Sequence, residues 1–289
     1  MADGTAAGGP VLDGAGAGDG DAPALLAVAH GTRDPAGPAA VRALLGLVRA
    51  VRPGLRVVEA YGELAAPSLE DAAAGLGGGP AVVVPLLLAR GYHALIDFPE
   101  RAGRALPHAV TARPLGPDPL LAAALADTLA GALTGAPDGA APGETADAAG
   151  RPGRALPPRP DAVVLGAAGS ADPAGTADVR AAARLLARRL AAEPGGDAAG
   201  EPRRCVPHGF VAGAGPALDA VVAGLRRGGA DRVAVASYLL APGRFHDRMA
   251  ACGADVVAPP IGAHPAVARL VLRRYDEARR RLETAVAMR

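Results

Sequence analysis

Three polar residues in the first half of the chain are of types that can hold a metal ion or move a proton. His30 directly follows the apolar run LLAVA, Glu63 lies in the segment YGELAAP, and His93 follows the apolar run AVVVPLLLA by three residues. Imidazole nitrogen and carboxylate oxygen suit divalent ions of the first transition row. Three protein ligands would leave coordination positions open for a substrate. Alternatively, each histidine is a loop residue bonded to backbone, and residue types alone leave both readings open.

The elements around these residues alternate between short strands and amphipathic helices. The apolar runs at 25–29 and 81–88 predict strands, and the pattern at 37–51 predicts a helix between them. Such alternation indicates parallel βαβ units with helices on both faces of a sheet. Because ligands bind beyond the carboxyl ends of parallel strands, we expect His30 and His93 to project into one crevice.

The second half of the chain repeats the first. The segments AHGTRDP, APSLEDAAAGL, PAVVVPLLLARG and LGPDP return in the same order as AAGSADP, GPALDAVVAGL, RVAVASYLLAPG and IGAHP. Four matched segments in order indicate a duplicated unit. Each copy is expected to contain about four strands and a C-terminal helix, the last one at 266–287.

The two copies differ at the candidate ligands. Ala168 stands where the first copy has His30, and Ala212 stands where it has Glu63. His246 follows the third strand of the second copy one residue out of register with His93, and we expect it to have no ligand role. The metal site is therefore predicted in the first copy alone.

Composition divides the chain into two lobes. Residues 1–22 and 134–160 are rich in Gly, Ala, Pro and Asp, which predicts a disordered tail and a linker, and 191–202 reads as an inserted loop. The first lobe is expected at 23–133 and the degenerate second lobe at 161–289. We predict an α/β protein of two lobes with parallel sheets, related by internal duplication and facing each other across a cleft.

Charge and aromatic content exclude several classes of partner. Among 289 residues the formal net charge is +1 and aromatic residues make up 2%, with no Trp. The chain therefore has no global field for nucleic acid or anionic lipid and few rings on which bases could stack. Two cysteines cannot form a disulfide framework, and the N-terminus lacks the pattern of a signal peptide. A cytoplasmic monomer that binds small molecules is the expectation.

The motifs AHGTRDP, YGELAAPSLEDA and VPLLLARGYHALIDFP, in this order, resemble the CbiX family of sirohydrochlorin chelatases. The second half resembles the degenerate half of the long, duplicated members. The resemblance implies two chelatase lobes of flavodoxin-like topology and ATP-independent insertion of Fe²⁺ or Co²⁺ into sirohydrochlorin, for siroheme or cobalamin synthesis. It places the metal-binding histidines at His30 and His93 and the active-site glutamate at Glu63, with no cofactor beyond the metal substrate.

The chemistry of metal insertion explains these residue types. Two pyrrole N–H protons must leave while the metal sheds ligands, so the site needs removable donors and a proton acceptor. A histidine with an ordinary pKa near 6.5 can serve as either. Since the substrate carries a rim of carboxylates, guanidiniums near the two histidines and on the equivalent loop of the second copy are expected to bind it; these are Arg33, Arg90, Arg244 and Arg248.

Two other functions would use the same ligands. A carrier of metal or tetrapyrrole would need them without turnover, and a chelatase could act on another tetrapyrrole. The sequence does not decide which metal is used or whether Glu63 binds the metal or collects protons. Nothing in it resembles a phosphate-binding loop, because the glycine clusters lie outside strand-to-helix turns.

Overall fold

A computed structural model describes residues 22–135, 160–192 and 205–287 of the chain. Nearly all of the predicted tail, linker and inserted loop lies outside the described residues. The described part contains two four-stranded parallel sheets rather than one continuous sheet. This architecture confirms the predicted α/β fold of two duplicated lobes.

The two sheets have the same strand order. The first is ordered β2-β1-β3-β4 and the second β6-β5-β7-β8, all neighbours being parallel. Their strands are β1 (Ala24–Ala29), β2 (Val57–Tyr61), β3 (Ala81–Pro85) and β4 (Ala109–Thr111), then β5 (Ala162–Ala167), β6 (His208–Phe210), β7 (Val233–Tyr238) and β8 (Val256–Val257). Strands β1, β3 and β7 are buried along their whole length, which explains why they read as continuous apolar runs rather than alternating ones.

Helices cover both faces of each sheet. They are α1 (Ala36–Val51), α2 (Leu69–Ala74), α3 (Phe98–Ala105), α4 (Pro119–Thr134), α5 (Pro173–Ala191), α6 (Leu218–Arg227), α7 (Arg244–Ala250) and α8 (Pro265–Ala287), and a π-helical turn at His93–Asp97 leads into α3. Helices α2 and α3 cover the outer face of the first sheet, and α6 and α7 that of the second. The inner faces share one large apolar core with α1, α4, α5 and α8, so the two lobes are packed together.

The last helix of each copy packs on the sheet of the other copy. Helix α8 contacts β3, β4 and α1 of the first copy, whereas α4 contacts β7, β8 and α5 of the second. The Tyr275 hydroxyl on α8 donates a hydrogen bond to the carbonyl of Pro23 at the start of β1, 2.6 Å away. Each copy therefore completes its core with a helix supplied by the other.

Matching polar pairs join the N-terminal end of each exchanged helix to a later turn of the other. Asp118 accepts a hydrogen bond from the Leu120 N–H at the start of α4 and pairs with Arg273 and the buried Arg274 on α8. At the repeat-equivalent position before α8, His264 Nδ1 accepts from the Ala266 N–H at 3.1 Å. Its Nε2 then donates to Asp127 on α4 at 3.2 Å. The two junctions join repeat-equivalent positions, with the acidic partner exchanged.

No helix in the described residues is long and apolar enough to cross a membrane.

Candidate metal and substrate site

A cleft of about 880 Å³ lies between the two lobes at the carboxyl ends of the central strands. Its walls come from the loops after β1 and β3 in the first copy and after β5 and β7 in the second. This volume falls within the range of small-molecule sites, about 300–1,000 Å³. The cleft has the position that the strand order of a parallel sheet predicts for a ligand site.

A constrained turn after β1 places His30 in the wall of the cleft. The His30 carbonyl accepts a hydrogen bond from the Glu63 N–H at 2.9 Å, which joins this turn to the loop after β2. Gly31 follows with a φ of 95°, and a Cβ there would lie 1.8 Å from the carbonyl oxygen of Glu63. Glycine is therefore required at position 31, and the turn directs the preceding histidine out of the sheet.

The loop after β3 brings His93 next to His30. Their ring centroids lie 4.8 Å apart with a tilt of 48°. His93 begins a π-helical turn, which occurs mostly as a short distortion at functional sites. The two histidines of the sequence prediction therefore share one corner of the cleft.

Asp97 orients the ring of His93. Its Oδ2 lies 3.0 Å from His93 Nδ1, so Nδ1 donates to this carboxylate and Nε2 is the nitrogen available to a ligand. Arg101 donates to the same carboxylate and is held by a bidentate pair with Glu70. Asp97 stands at the N-cap of α3, but its side chain makes no capping hydrogen bond there. The four-residue spacing from His93 is the signal that could have revealed its role.

His30 is held in its neutral form. Burial and the neighbouring His93 lower its pKa below the ordinary value of 6.5, although the charges of Glu63 and Asp97 act in the opposite direction. Its Nδ1 is buried without a hydrogen-bond partner among the described residues. A buried polar atom of this kind costs about 1–3 kcal/mol. The ring is therefore kept unprotonated near pH 7, the state that can bind a metal or accept a proton.

Glu63 lies beside this pair rather than within it. Its side chain is exposed, and no group of three or more His, Cys, Asp or Glu in residues 22–135, 160–192 and 205–287 is arranged to hold a metal ion. Its contribution in the structure is the backbone bond to His30 and the charge that raises the pKa of that histidine. The structure brings together two of the three predicted ligands.

The four candidate arginines have different positions. Arg90 and Arg244 line the cleft, whereas Arg33 and Arg248 are exposed and do not line it. The guanidinium of Arg90 forms a bidentate pair with Asp178 of the second copy. Arg244 is exposed and lines the cleft, so it matches the expectation of an arginine that can bind substrate better than Arg33 or Arg248 does.

His246 also lines the cleft, but its ring is bonded to the backbone. Nε2 lies 3.3 Å from the carbonyl oxygen of Ala258, to which it donates. The structure thus gives this histidine a hydrogen-bond partner in its own lobe.

Apolar side chains line the mouth of the cleft on both sides. Tyr92 is 62% exposed, Leu64 50% and Ile96 46% on the first copy, and Phe245 is 40% exposed on the second. Sequence reasoning missed them because single exposed apolar residues are normal and carry no pattern. Their grouping suits a ligand with an extended apolar face.

The fold and the site together define a two-lobed α/β protein in which, within the described residues, a histidine pair lies at the strand ends of the first lobe. The profile of the CbiX family matches residues 24–132 and 162–278, so both copies are covered. The chain belongs to the CbiX family. No curated protein matches it.

Several solved structures are similar along most of the chain. SirB from Bacillus subtilis with Fe³⁺ has 25% identity and a TM-score of 0.63, covering 88% of this chain and 94% of that one. The sirohydrochlorin chelatase SirB from Bacillus subtilis subspecies spizizenii, in complex with cobalt, has 22% identity and a TM-score of 0.64, covering 90% and 97%. CbiX, described as the terminal enzyme for siroheme biosynthesis in denitrifying bacteria, has 20% identity and a TM-score of 0.55, covering 88% and 99%. The last two establish the likeness of fold alone.

Proposed function

We propose that this protein is a metal chelatase that inserts Fe²⁺ or Co²⁺ into sirohydrochlorin without ATP. The observation that carries the proposal is the pair of histidines 4.8 Å apart in the cleft between the lobes. Family membership and the likeness to SirB, whose solved structure holds Fe³⁺, support it.

The two histidines differ in how firmly their rings are held, and this difference suits the binding of a metal followed by its release. His93 has its Nδ1 fixed by Asp97, so its Nε2 is a directed ligand for the incoming ion. His30 has a lowered pKa and no strong orienting partner among the described side chains, which suits a group that releases a metal or takes a proton. Two imidazoles bind a divalent ion weakly enough to deliver it, whereas a thiolate cage would retain it.

The reaction is an exchange of one divalent ion for two protons. Metal–nitrogen bonds form to the four pyrrole nitrogens, and the two pyrrole N–H bonds break. Neutral His30 can accept one of these protons, and Glu63 at the edge of the site can pass protons to water. No oxidant or reductant is needed, because the oxidation state of the metal does not change.

The cleft walls fit the proposed substrate. The apolar side chains at the mouth can cover the faces of a tetrapyrrole ring, and Arg244 can pair with carboxylates at its rim. Arg90 has its Nε and Nη2 bonded to Asp178, which restricts its contact with substrate to the remaining nitrogen. Arg33 and Arg248 could reach only the outer part of a bound macrocycle.

The test is a turnover assay with purified protein at substoichiometric concentration. Sirohydrochlorin is mixed with Fe²⁺ or Co²⁺ and the conversion is followed by its visible absorption spectrum, with and without ATP. We expect repeated turnover with at least one of the two ions and no effect of ATP. A spectral change that stops at one equivalent would identify a carrier, and failure with sirohydrochlorin but turnover with another tetrapyrrole would overturn the proposed substrate.

A further inference from the structure

The loop that carries His93 is held by side chains of the second copy. This loop runs from the end of β3 through Leu88 to Gly91, directly before the π-helical turn. Three residues of the second copy contact its backbone, namely Asp178, Tyr238 and Gly175. The contacts all lie within five residues of a histidine that lines the cleft.

Asp178 on α5 makes the most extensive of these contacts. Its carboxylate accepts from the backbone N–H of Arg90 at 2.8 Å, from Nε at 2.9 Å and from Nη2 at 2.7 Å. The side chain of Asp178 is only 5% exposed. A buried carboxylate with three charge-assisted or backbone donors fixes both the side chain and the main chain of its partner.

Tyr238 and Gly175 act on the same loop. The Tyr238 hydroxyl is buried, burial raises its pKa, and it donates to the carbonyl of Leu88 at 2.7 Å. At Gly175, near the start of α5, a Cβ would lie 2.5 Å from the carbonyl oxygen of Arg90. Only glycine at position 175 lets the backbone of α5 come this close to the loop, because any side chain there would collide with it.

The side-chain bonds run in one direction only, whereas the close backbone approach has a looser counterpart, since a Cβ at Gly37 would lie 3.5 Å from the carbonyl oxygen of Pro242. At the repeat-equivalent positions the first copy has Ala40 for Asp178 and Leu86 for Tyr238, and the second copy has Pro242 for Arg90. None of these three residues can make the corresponding side-chain bond. The second copy lacks the candidate ligands. It has instead the side chains that bond to the loop before His93 in the first copy.

We propose that Asp178 and Tyr238 are positioning residues that set the place of His93 relative to His30. The inference rests on the proposed function for the role of the two histidines. It assigns to the degenerate copy a direct task in assembling the site, beyond supplying an opposite wall. Groups bonded directly to metal ligands typically change metal affinity by about 10- to 100-fold when they are removed, and because Asp178 and Tyr238 act through the backbone before His93, we expect the lower end of this range.

The test compares four variants in Co²⁺ binding without tetrapyrrole, followed by the visible absorption bands of the ion. We expect Asp178→Ala to weaken Co²⁺ binding by about tenfold and to alter the bands. Asp178→Asn, which keeps an oxygen for the Arg90 N–H, and Tyr238→Phe should give smaller losses. The matched control is Asp276→Ala, which removes a bidentate pair between α8 and Arg52, neither of which lines the cleft.

A second readout does not depend on the metal. The ring signals of His93 in NMR spectra of the full chain should move in Asp178→Ala and Tyr238→Phe, and stay in place in Asp276→Ala. Lower thermal stability with unchanged His93 signals and unchanged Co²⁺ affinity would overturn the proposal. If the wild type binds no Co²⁺, or if His93→Ala binds it equally well, the proposed function fails while the NMR comparison still decides the positioning role.

Discussion

The turns after the first strand of each copy have the same backbone and different chemistry. Gly31 and Gly169 have φ angles of 95° and 125°, and a Cβ on either would lie within 2 Å of a carbonyl oxygen, that of Glu63 or Ala212. The residue before each glycine is His30 in one copy and Ala168 in the other. The fold constrains the glycine and leaves the preceding side chain free, so a ligand can be lost without loss of the turn.

The polar junctions of the exchanged helices are a second case in which equivalent positions keep a backbone role but differ in their side chains. Asp118 and His264 both cap a helix and both pair with the other exchanged helix, yet only Asp118 faces the completely buried Arg274. Burial and hydrogen bonding act against each other on Asp118, and the bonds from Leu120, Arg273 and Arg274 leave its pKa lowered. Equivalent positions can therefore differ greatly in their contribution to stability.

Replacing these two caps should give the largest difference between the copies. Asp118→Ala removes the cap of α4 and one of the two carboxylates paired with the buried Arg274 guanidinium, Glu277 being the other, and we expect a loss of about 3 kcal/mol in the free energy of unfolding. His264→Ala removes a cap and a half-exposed pair and should cost about 1 kcal/mol. Urea denaturation of the two variants measures both. Equal losses would contradict the comparison.

Removal of His93 should separate chemistry from stability. We expect His93→Ala to lower the rate of metal insertion by about 100-fold or more. Its free energy of unfolding should change by about 0.5 kcal/mol or less, because the ring is partly exposed. His246→Ala is the matched variant in the second copy and should retain most of the rate. If both variants lose activity equally, the second copy takes part in the chemistry directly.

Substituting the turn glycines tests the shared backbone. Gly31→Ala and Gly169→Ala should each cost about 1–3 kcal/mol, since both force a side chain against a carbonyl at positive φ. Only Gly31→Ala should also weaken Co²⁺ binding, because it displaces His30. Chemical denaturation measures the loss of stability, and a Co²⁺ titration measures binding. Weakened binding in Gly169→Ala alone would place the metal site in the second copy and contradict the assignment to the first.

The substrate contacts should be smaller in effect. Arg244→Ala is expected to raise KM for sirohydrochlorin by up to about fivefold with little change in kcat, as for an exposed ion pair worth about 1 kcal/mol or less. Arg248→Ala, on the same helix but outside the cleft lining, should change KM by less. Steady-state kinetics of both variants provides the comparison. A larger effect at Arg248 would show that the carboxylates of the substrate bind outside the cleft lining.

The smallest expected effect is a shift in the titration of His30. The pKa of His30 in the folded chain lies below 6.5, its value in the unfolded chain. Between the folded pKa and 6.5, the unfolded chain therefore binds a proton that the folded chain does not. The contribution of this group to stability therefore falls as pH drops below 6.5 and is constant above it. Glu63→Gln removes a charge that raises this pKa and should lower it further, as measured by NMR titration. Glu70→Gln, whose carboxylate is bonded to Arg101, is the control.

The strands and the convergence of the two histidines could be predicted from the sequence because both follow from local rules. Buried parallel strands read as apolar runs, and their carboxyl ends meet at one edge, which brings His30 to His93. The exchange of α4 and α8 could not be predicted. An amphipathic pattern shows that a helix has an apolar face but not which of two similar sheets it covers.

The rest of the site depends on contacts between residues distant in the sequence. Arg90 was a candidate for substrate binding by its place beside His93, but its pairing with Asp178 depends on how the lobes pack. Glu63 was expected to join the two histidines as a third ligand, yet its side chain is exposed, and it acts on His30 through a backbone hydrogen bond and the charge of its carboxylate. The four-residue spacing of His93 and Asp97 is, by contrast, a local signal that the sequence does carry.

The exchanged helices also bear on how the chain is made. As the polypeptide leaves the ribosome, the first sheet is complete long before the helix that must cover its inner face, because residues 265–287 follow the whole second sheet in the chain. The first copy therefore keeps an apolar surface uncovered until α8 has been made, and a chain that ends before α8 would damage the lobe formed by its first half. In this respect the protein has the topology of a domain-swapped dimer whose two subunits have been joined into one chain.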